Sequence, residues 1–151
     1  MVCEFMNTKI AERRVGTQGI IDRLLAERQA VLVMFCELAG MEAHHEHGGE
    51  ERLLQRFCEL LVDYSALAHF EIYERIIDGR ERRSRVVEVA REVYPKISEA
   101  SEIAVAFNDR YDANTHKLDM DRLGSDLSLL GEELATRIEM EDRIIQALVE
   151  R

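Results

Sequence analysis

The chain is almost unpunctuated. Its 151 residues contain a single proline, Pro95, and only eight glycines. A β-sandwich or barrel needs a turn signal every ~8–12 residues, which argues against that class. Between the few breakers run long segments whose apolar residues return every three or four positions, the period of an amphipathic helix. From Thr17 to Ala39 this period is kept by Ile20, Ile21, Leu24, Leu25, Val31, Leu32, Phe35 and Leu38. Thr17 is the expected cap and Gly40 the expected terminator. MEAHHEHGGEE reads as a loop. A second helix is predicted over Glu51–Asp78, stopping at Gly79, and RERRSR connects it onward. A third is predicted over Ser84–Tyr111, kinked at Pro95, and a fourth over Asp119–Val149 after the turn DANTHK. Residues 3–14 read as a short extra N-terminal helix. With no repeat and no break in composition, residues 1–151 are read as one domain. Four helices of roughly 35–45 Å, at ~1.5 Å per residue, predict an all-α, elongated antiparallel four-helix bundle.

Apolar residues make up 46% of the chain, enough for a core without disulfides or a structural metal. Twenty basic against thirty acidic residues leave a net charge of −10. Phosphate recognition needs a basic footprint, so direct nucleic-acid binding is not expected. A basic protein partner suits the charge better. No segment approaches the roughly 20 apolar residues of a membrane span, and MVCEFMNTKIAERR lacks the apolar stretch of a signal peptide. A cytoplasmic protein without membrane contact is expected. Cys3, Cys36 and Cys58 are odd in number and form no CxxC. They read as reduced thiols, Cys36 and Cys58 as core packing.

The second helix carries most information. At about 100° per residue, Phe57, Leu61, Tyr64, Leu67, Ala68 and Ile72 gather on a core face. Gln55, Arg56, Glu59, Asp63, Glu74 and Asp78 gather opposite, on a wet face. Yet Phe70, Ile77, Ala66 and Tyr73 fall in or beside that wet arc, and Asp63, Phe70 and Ile77 recur at intervals of seven. An apolar strip with an acidic rim is the composition of a protein-binding surface. The alternative is a strip covered by another helix or by the N-terminal segment. Charge also points inward. Glu141 lies within the fourth helix's stripe of Leu123, Leu127, Leu130, Leu134, Ile138, Ile145 and Leu148. Arg28 and Arg75 lie on the core sides of the first and second helices. Buried charges need partners, so these three form either a structural ion network or a small anion or catalytic site.

Motifs for catalysis are absent: no P-loop, GxGxxG or GxSxG occurs. Five histidines raise the question of a di-iron bundle, which uses Glu-x-x-His pairs on inward faces. Glu42-x-x-His45 lies in the loop instead, with His44 and His47 nearby. His69-Phe70 is similar to a hemerythrin-like element, but Tyr73 stands where its Glu belongs. No metal, cofactor or enzyme activity is expected. A hemerythrin-like or di-iron bundle, and an anion-binding bundle using Arg28 and Arg75, are the competing classes.

The run FCELLVDYSALAHFEIYERI, with IIDRLLAERQ before it and LGEELATRIEMEDRII after it, resembles the Rsd/AlgQ family of anti-sigma factors. Matching positions are Val62, Asp63, Tyr64, His69, Phe70, Ile72, Tyr73, Glu74 and Arg75, then Asp22, Arg23 and Leu25, then Glu141 and Asp142. Pro95 falls where that family has Trp-Pro, and Leu24 stands where the family has Trp. The resemblance covers the whole chain. It implies an elongated helical bundle that binds the primary sigma subunit of bacterial RNA polymerase. Region 4 of sigma is the main target, with region 2 as a further candidate. Region 4 contacts the −35 promoter element and the β-flap of core polymerase. Occupying it frees core enzyme for alternative sigma factors, typically in stationary phase, and in some relatives affects alginate or virulence genes. On this reading Phe70 is the apolar anchor with Ile77 beside it. Asp63, Glu59, Glu74 and Tyr73 complete the sigma-binding set, in which Asp63, Phe70, Tyr73 and Glu74 sit on the family run while Glu59 and Ile77 come from the helical wheel; Arg28, Arg75 and Glu141 belong to the scaffold.

Overall fold

A computed structural model describes residues 2–43, 49–114 and 117–150, with side chains from residue 16 onward apart from residue 43. Five helical stretches follow: α1 (Val2–Ala43), α2 (Glu50–Ala68), α3 (Glu74–Ile77), α4 (Ser84–Arg110) and α5 (Leu123–Val149). A π-helical turn, His69–Tyr73, joins α2 directly to α3, and a 3₁₀ turn, Met120–Arg122, leads into α5. The long helix α2–α3 therefore counts as one rod of a four-rod bundle, and no strand occurs among the described residues.

Side-chain pairs give the directions. Gly131 and Gly124 of α5 lie against Phe35 and Glu42 of α1, so the two helices run antiparallel. A Cβ on Gly131 would come within 2.7 Å of the Phe35 ring, so α1 approaches there because the residue has no side chain. Arg110 with Asp126, Arg137 with Ser101 and Arg143 with Glu92 set α4 antiparallel to α5. Phe57 meets Phe107 edge-on at 5.8 Å and Phe35 at 6.2 Å, joining α2 to both α4 and α1. The core follows the apolar period: Leu24, Val31 and Leu38; Leu54, Phe57, Leu61 and Tyr64; Val93 and Ile97; Leu123, Leu127, Leu130 and Ile144. Leu25, expected in the core, lies at the surface instead.

Two helix boundaries differ from expectation. α1 does not start at Thr17 or stop at Gly40, and residues 3–14 are part of it rather than a separate helix. Thr and Gly in a helix interior cost at most about 1 kcal/mol each. Propagation adds a hydrogen bond per residue, and burial of Ile21 and Leu38 on either side outweighs that cost. α4 passes through Pro95 as one element. Pro95 is exposed, so the carbonyl whose hydrogen bond it forfeits can turn to water. Gly79 does end its helix, at φ +80°, a left-handed conformation suited to glycine.

The π-helical turn has the larger consequence. The Glu74 N–H donates to His69 O, five residues back rather than four. One extra residue in the turn rotates everything after it by about 100°. Arg75, placed by the uniform wheel on the core side, is exposed, and Ile76 is buried in its stead. Tyr73, placed beside the wet arc, is buried too.

Candidate functional site

Charge at the centre of the bundle is concentrated on Glu141, which is 1% exposed. Leu134, Arg137, Met140, Glu141 and Ile144 all occupy the inward stripe of α5. Glu141 Oε1 accepts from the Tyr64 hydroxyl, and Oε2 accepts from the Tyr73 hydroxyl at 2.8 Å. The Arg28 Nη1 lies 3.4 Å from Oε1 and 2.8 Å from Asp142 Oδ1. The Arg137 Nε lies 3.5 Å from Oε2, its guanidinium stands over the Tyr64 ring at 5.1 Å, and its Nη1 donates to Ser101 Oγ at 3.0 Å. Burial, reinforced by the Glu141 charge, pushes both tyrosine hydroxyls well above the usual phenol range. They therefore stay protonated and serve as donors. Burial disfavours the charge on Arg28, but the hydrogen bond and charge of Asp142 and the charge of Glu141 outweigh it and raise its pKa. Every formal charge in this cluster has an opposite charge within about 3.5 Å, the condition under which a bundle tolerates buried ions, while Arg137 Nε is left without a hydrogen bond among the described residues.

Arg75 has no place in it, because the π-helical turn carries that side chain outward. Arg137 takes the position assigned to Arg75. The sequence contained the signal, since Arg137 stands four residues before Glu141 on the same leucine stripe. With Arg28 held by Glu141 and Asp142 and Arg75 exposed, each arginine has its own environment.

The opposite face of α2–α3 carries the apolar strip. Phe70 is 61% exposed and Ile77 54%, and Val62 is exposed as well. The His69 ring meets Phe70 edge-on at 4.9 Å. Asp63, Glu59, Glu71 and Asp78 are exposed, Glu74 is half-buried, and Glu59 pairs with Arg56 at 3.0 Å. Tyr73 is the departure from the expected set. It is 3% exposed and bound to Glu141, so it supports the strip from inside. One carboxylate escaped sequence reasoning: Glu27 of α1. Burial raises its pKa, Arg23 lowers it, and Asp63 raises it further. Its Oε2 is buried without a hydrogen-bond partner among the described residues. Only the packing of α1 on α2 brings Glu27 beside Asp63.

Of the cysteines, Cys36 is exposed rather than buried, and Cys58 is half-buried. Burial, then the charges of Asp112 and Glu59, push the Cys58 thiol up to about 12, so it stays protonated and unreactive. The side chain of Cys3, and the residues His44, His45, His47 and His116, lie outside the described set. Among the described residues no three His, Cys, Asp or Glu side chains group as metal ligands. No described helix is long and apolar enough to cross a membrane.

A helical bundle with a buried ionic centre and an exposed apolar strip rimmed by carboxylates has the composition of a protein-binding module. Residues 5–149 match the model of the family described as "Regulator of RNA polymerase sigma(70) subunit, Rsd/AlgQ". The chain belongs to the Rsd/AlgQ family. It is similar to the regulator of sigma D of Yersinia enterocolitica, with 34% identity over 91% of this chain and 84% of that one. The regulators of sigma D of Yersinia pseudotuberculosis and Salmonella paratyphi B show 32% and 31% identity over 91% and 90% of this chain, and 83% and 85% of theirs.

Proposed function

We propose that the protein is an anti-sigma factor that binds the primary sigma subunit of RNA polymerase, mainly through region 4. It acts by occupying sigma's contacts with core polymerase and the −35 element, without catalysis, in the cytoplasm where the polymerase works. The single observation that best supports this is Phe70, 61% exposed on the helix that carries Asp63, whose charge also acts on Glu27 of α1. Region 4 is a helix-turn-helix module with a basic DNA-facing side, complementary to such a surface. Phe70 is the anchor and Ile77 its neighbour. Asp63, Glu59 and Glu74 pair with arginine or lysine of sigma. Glu27 joins them, since its buried oxygen lacks a donor that a basic side chain supplies. Tyr73 holds the anchor's turn in place rather than touching sigma.

The test is a calorimetric titration of the protein into isolated region 4 of a primary sigma factor, at low and physiological salt. Saturable 1:1 binding that weakens with salt is expected. Absence of heat at tens of micromolar overturns the region 4 assignment. Wild-type affinity in both Phe70→Ala and Asp63→Ala moves the surface elsewhere.

A further inference from the structure

Between the π-helical turn and the middle of α4 lies a cleft of about 430 Å³. Pockets for small molecules fall in this size range. Its floor is Arg137, a guanidinium whose side chain is 2% exposed. Of the five N–H donors of an arginine, Nη1 reaches Ser101 Oγ, while Nε makes no hydrogen bond and only the looser contact with Glu141. No hydrogen bond engages Nη2 among the described residues. The walls are mostly apolar, with Ile97 and the largely exposed Val105, and they also carry Tyr94, Ser98 and His69. The outer lining carries two carboxylates, Glu102 and Asp109, both exposed.

Cation at the floor, hydrocarbon between and carboxylates outside form a graded arrangement. A simple anion would meet Glu102 and Asp109 on entry. A simple amine would meet Arg137 at the bottom. We propose that the cleft binds a small zwitterion, an amino carboxylate with an apolar body. Its carboxylate reaches Arg137 and Ser101, its ammonium group faces Glu102 or Asp109, and its hydrocarbon lies on Ile97 and Val105. Charge-assisted hydrogen bonds at both ends then select it over molecules carrying one charge. Occupancy does not depend on sigma.

The test is a two-dimensional NMR titration of the free protein with 6-aminohexanoate, hexanoate and hexylamine, three probes of one chain length. The Arg137 Nε–Hε resonance reports the floor and the Val105 methyls report the wall. Saturable shifts of both with 6-aminohexanoate are expected, with affinity about tenfold above either single-charge probe. Both rim residues are exposed, so the double variant Glu102→Gln/Asp109→Asn should fold normally. It is expected to abolish the preference for 6-aminohexanoate over hexanoate. Absence of a saturable shift at Arg137, equal affinity for all three probes, or an unchanged preference in the double variant overturns the proposal.

Discussion

Asp63 and Tyr64 are neighbours in α2 and meet opposite environments. Tyr64 is sealed in the bundle, its hydroxyl committed to Glu141 and its ring under Arg137. Asp63 is exposed, beside a Glu27 whose buried oxygen has no donor. Around Glu141 every formal charge has a nearby opposite charge or a phenol; outside, the Asp63 and Arg23 charges both act on Glu27, and the Phe70 and Ile77 side chains are left bare. The inner cluster spends its interactions on stability. The outer strip leaves Phe70 and Ile77 uncovered and one Glu27 oxygen without a donor among the described residues, which is the composition of a binding surface. On the proposed reading, stability and recognition are divided between the two sides of a single helix.

That division can be broken by substitution. Glu141→Ala leaves Arg137 buried without its carboxylate, and a cost of about 3–5 kcal/mol is expected in denaturant unfolding. A loss below about 1 kcal/mol would mean that water already screens the cluster. Phe70→Ala should do the reverse. Binding to sigma region 4 is expected to fall by about 2 kcal/mol or more, roughly thirtyfold, in calorimetry. Its unfolding free energy should stay within about 0.5 kcal/mol of wild type, because the ring is exposed.

Tyr73→Phe sharpens the boundary. It deletes one donor to Glu141 and should cost about 1–2 kcal/mol of stability. Affinity of the folded variant for sigma should change less than Phe70→Ala changes it; an equal loss would put the hydroxyl in the interface. Arg75→Ala should move stability by no more than about 0.5 kcal/mol, as expected for an exposed side chain. A loss comparable to that of Glu141→Ala would return Arg75 to the ion network. The smallest effect belongs to Glu27. Its folded-state pKa is raised above the ordinary carboxylate value. Its contribution to stability is therefore full below the unfolded pKa and lost as pH rises through the folded one. At neutral pH Glu27→Gln should raise Tm slightly while weakening sigma binding, and a fall in both would remove Glu27 from the recognition surface. A basic partner favours the ionised carboxylate, so binding should weaken as pH falls through the raised value.

The all-helical class, the helices named from the leucine and isoleucine period, and Glu141 as an inward charge were legible in the chain. So were Phe70 and Ile77 as apolar residues out of place. Each follows from local periodicity, and a helix interior repeats its geometry residue by residue. The same logic erred past His69. A wheel turning at a constant angle put Arg75 inside and Tyr73 beside the wet arc, and no residue in HFEIY announces the extra one in the turn. Arg137 was legible on the leucine stripe, but its role depended on which arginine reached Glu141. Thr17 carried real capping chemistry and Gly40 real terminator chemistry, and tertiary packing overrode both. Glu27 beside Asp63, and the cleft above Arg137, join residues from different helices. Periodicity along one helix determines which residues turn inward or outward. Which of them meet, and whether a charge is satisfied or left waiting, is decided by how the helices are placed against one another, since burial and Coulomb energy depend on distance in space.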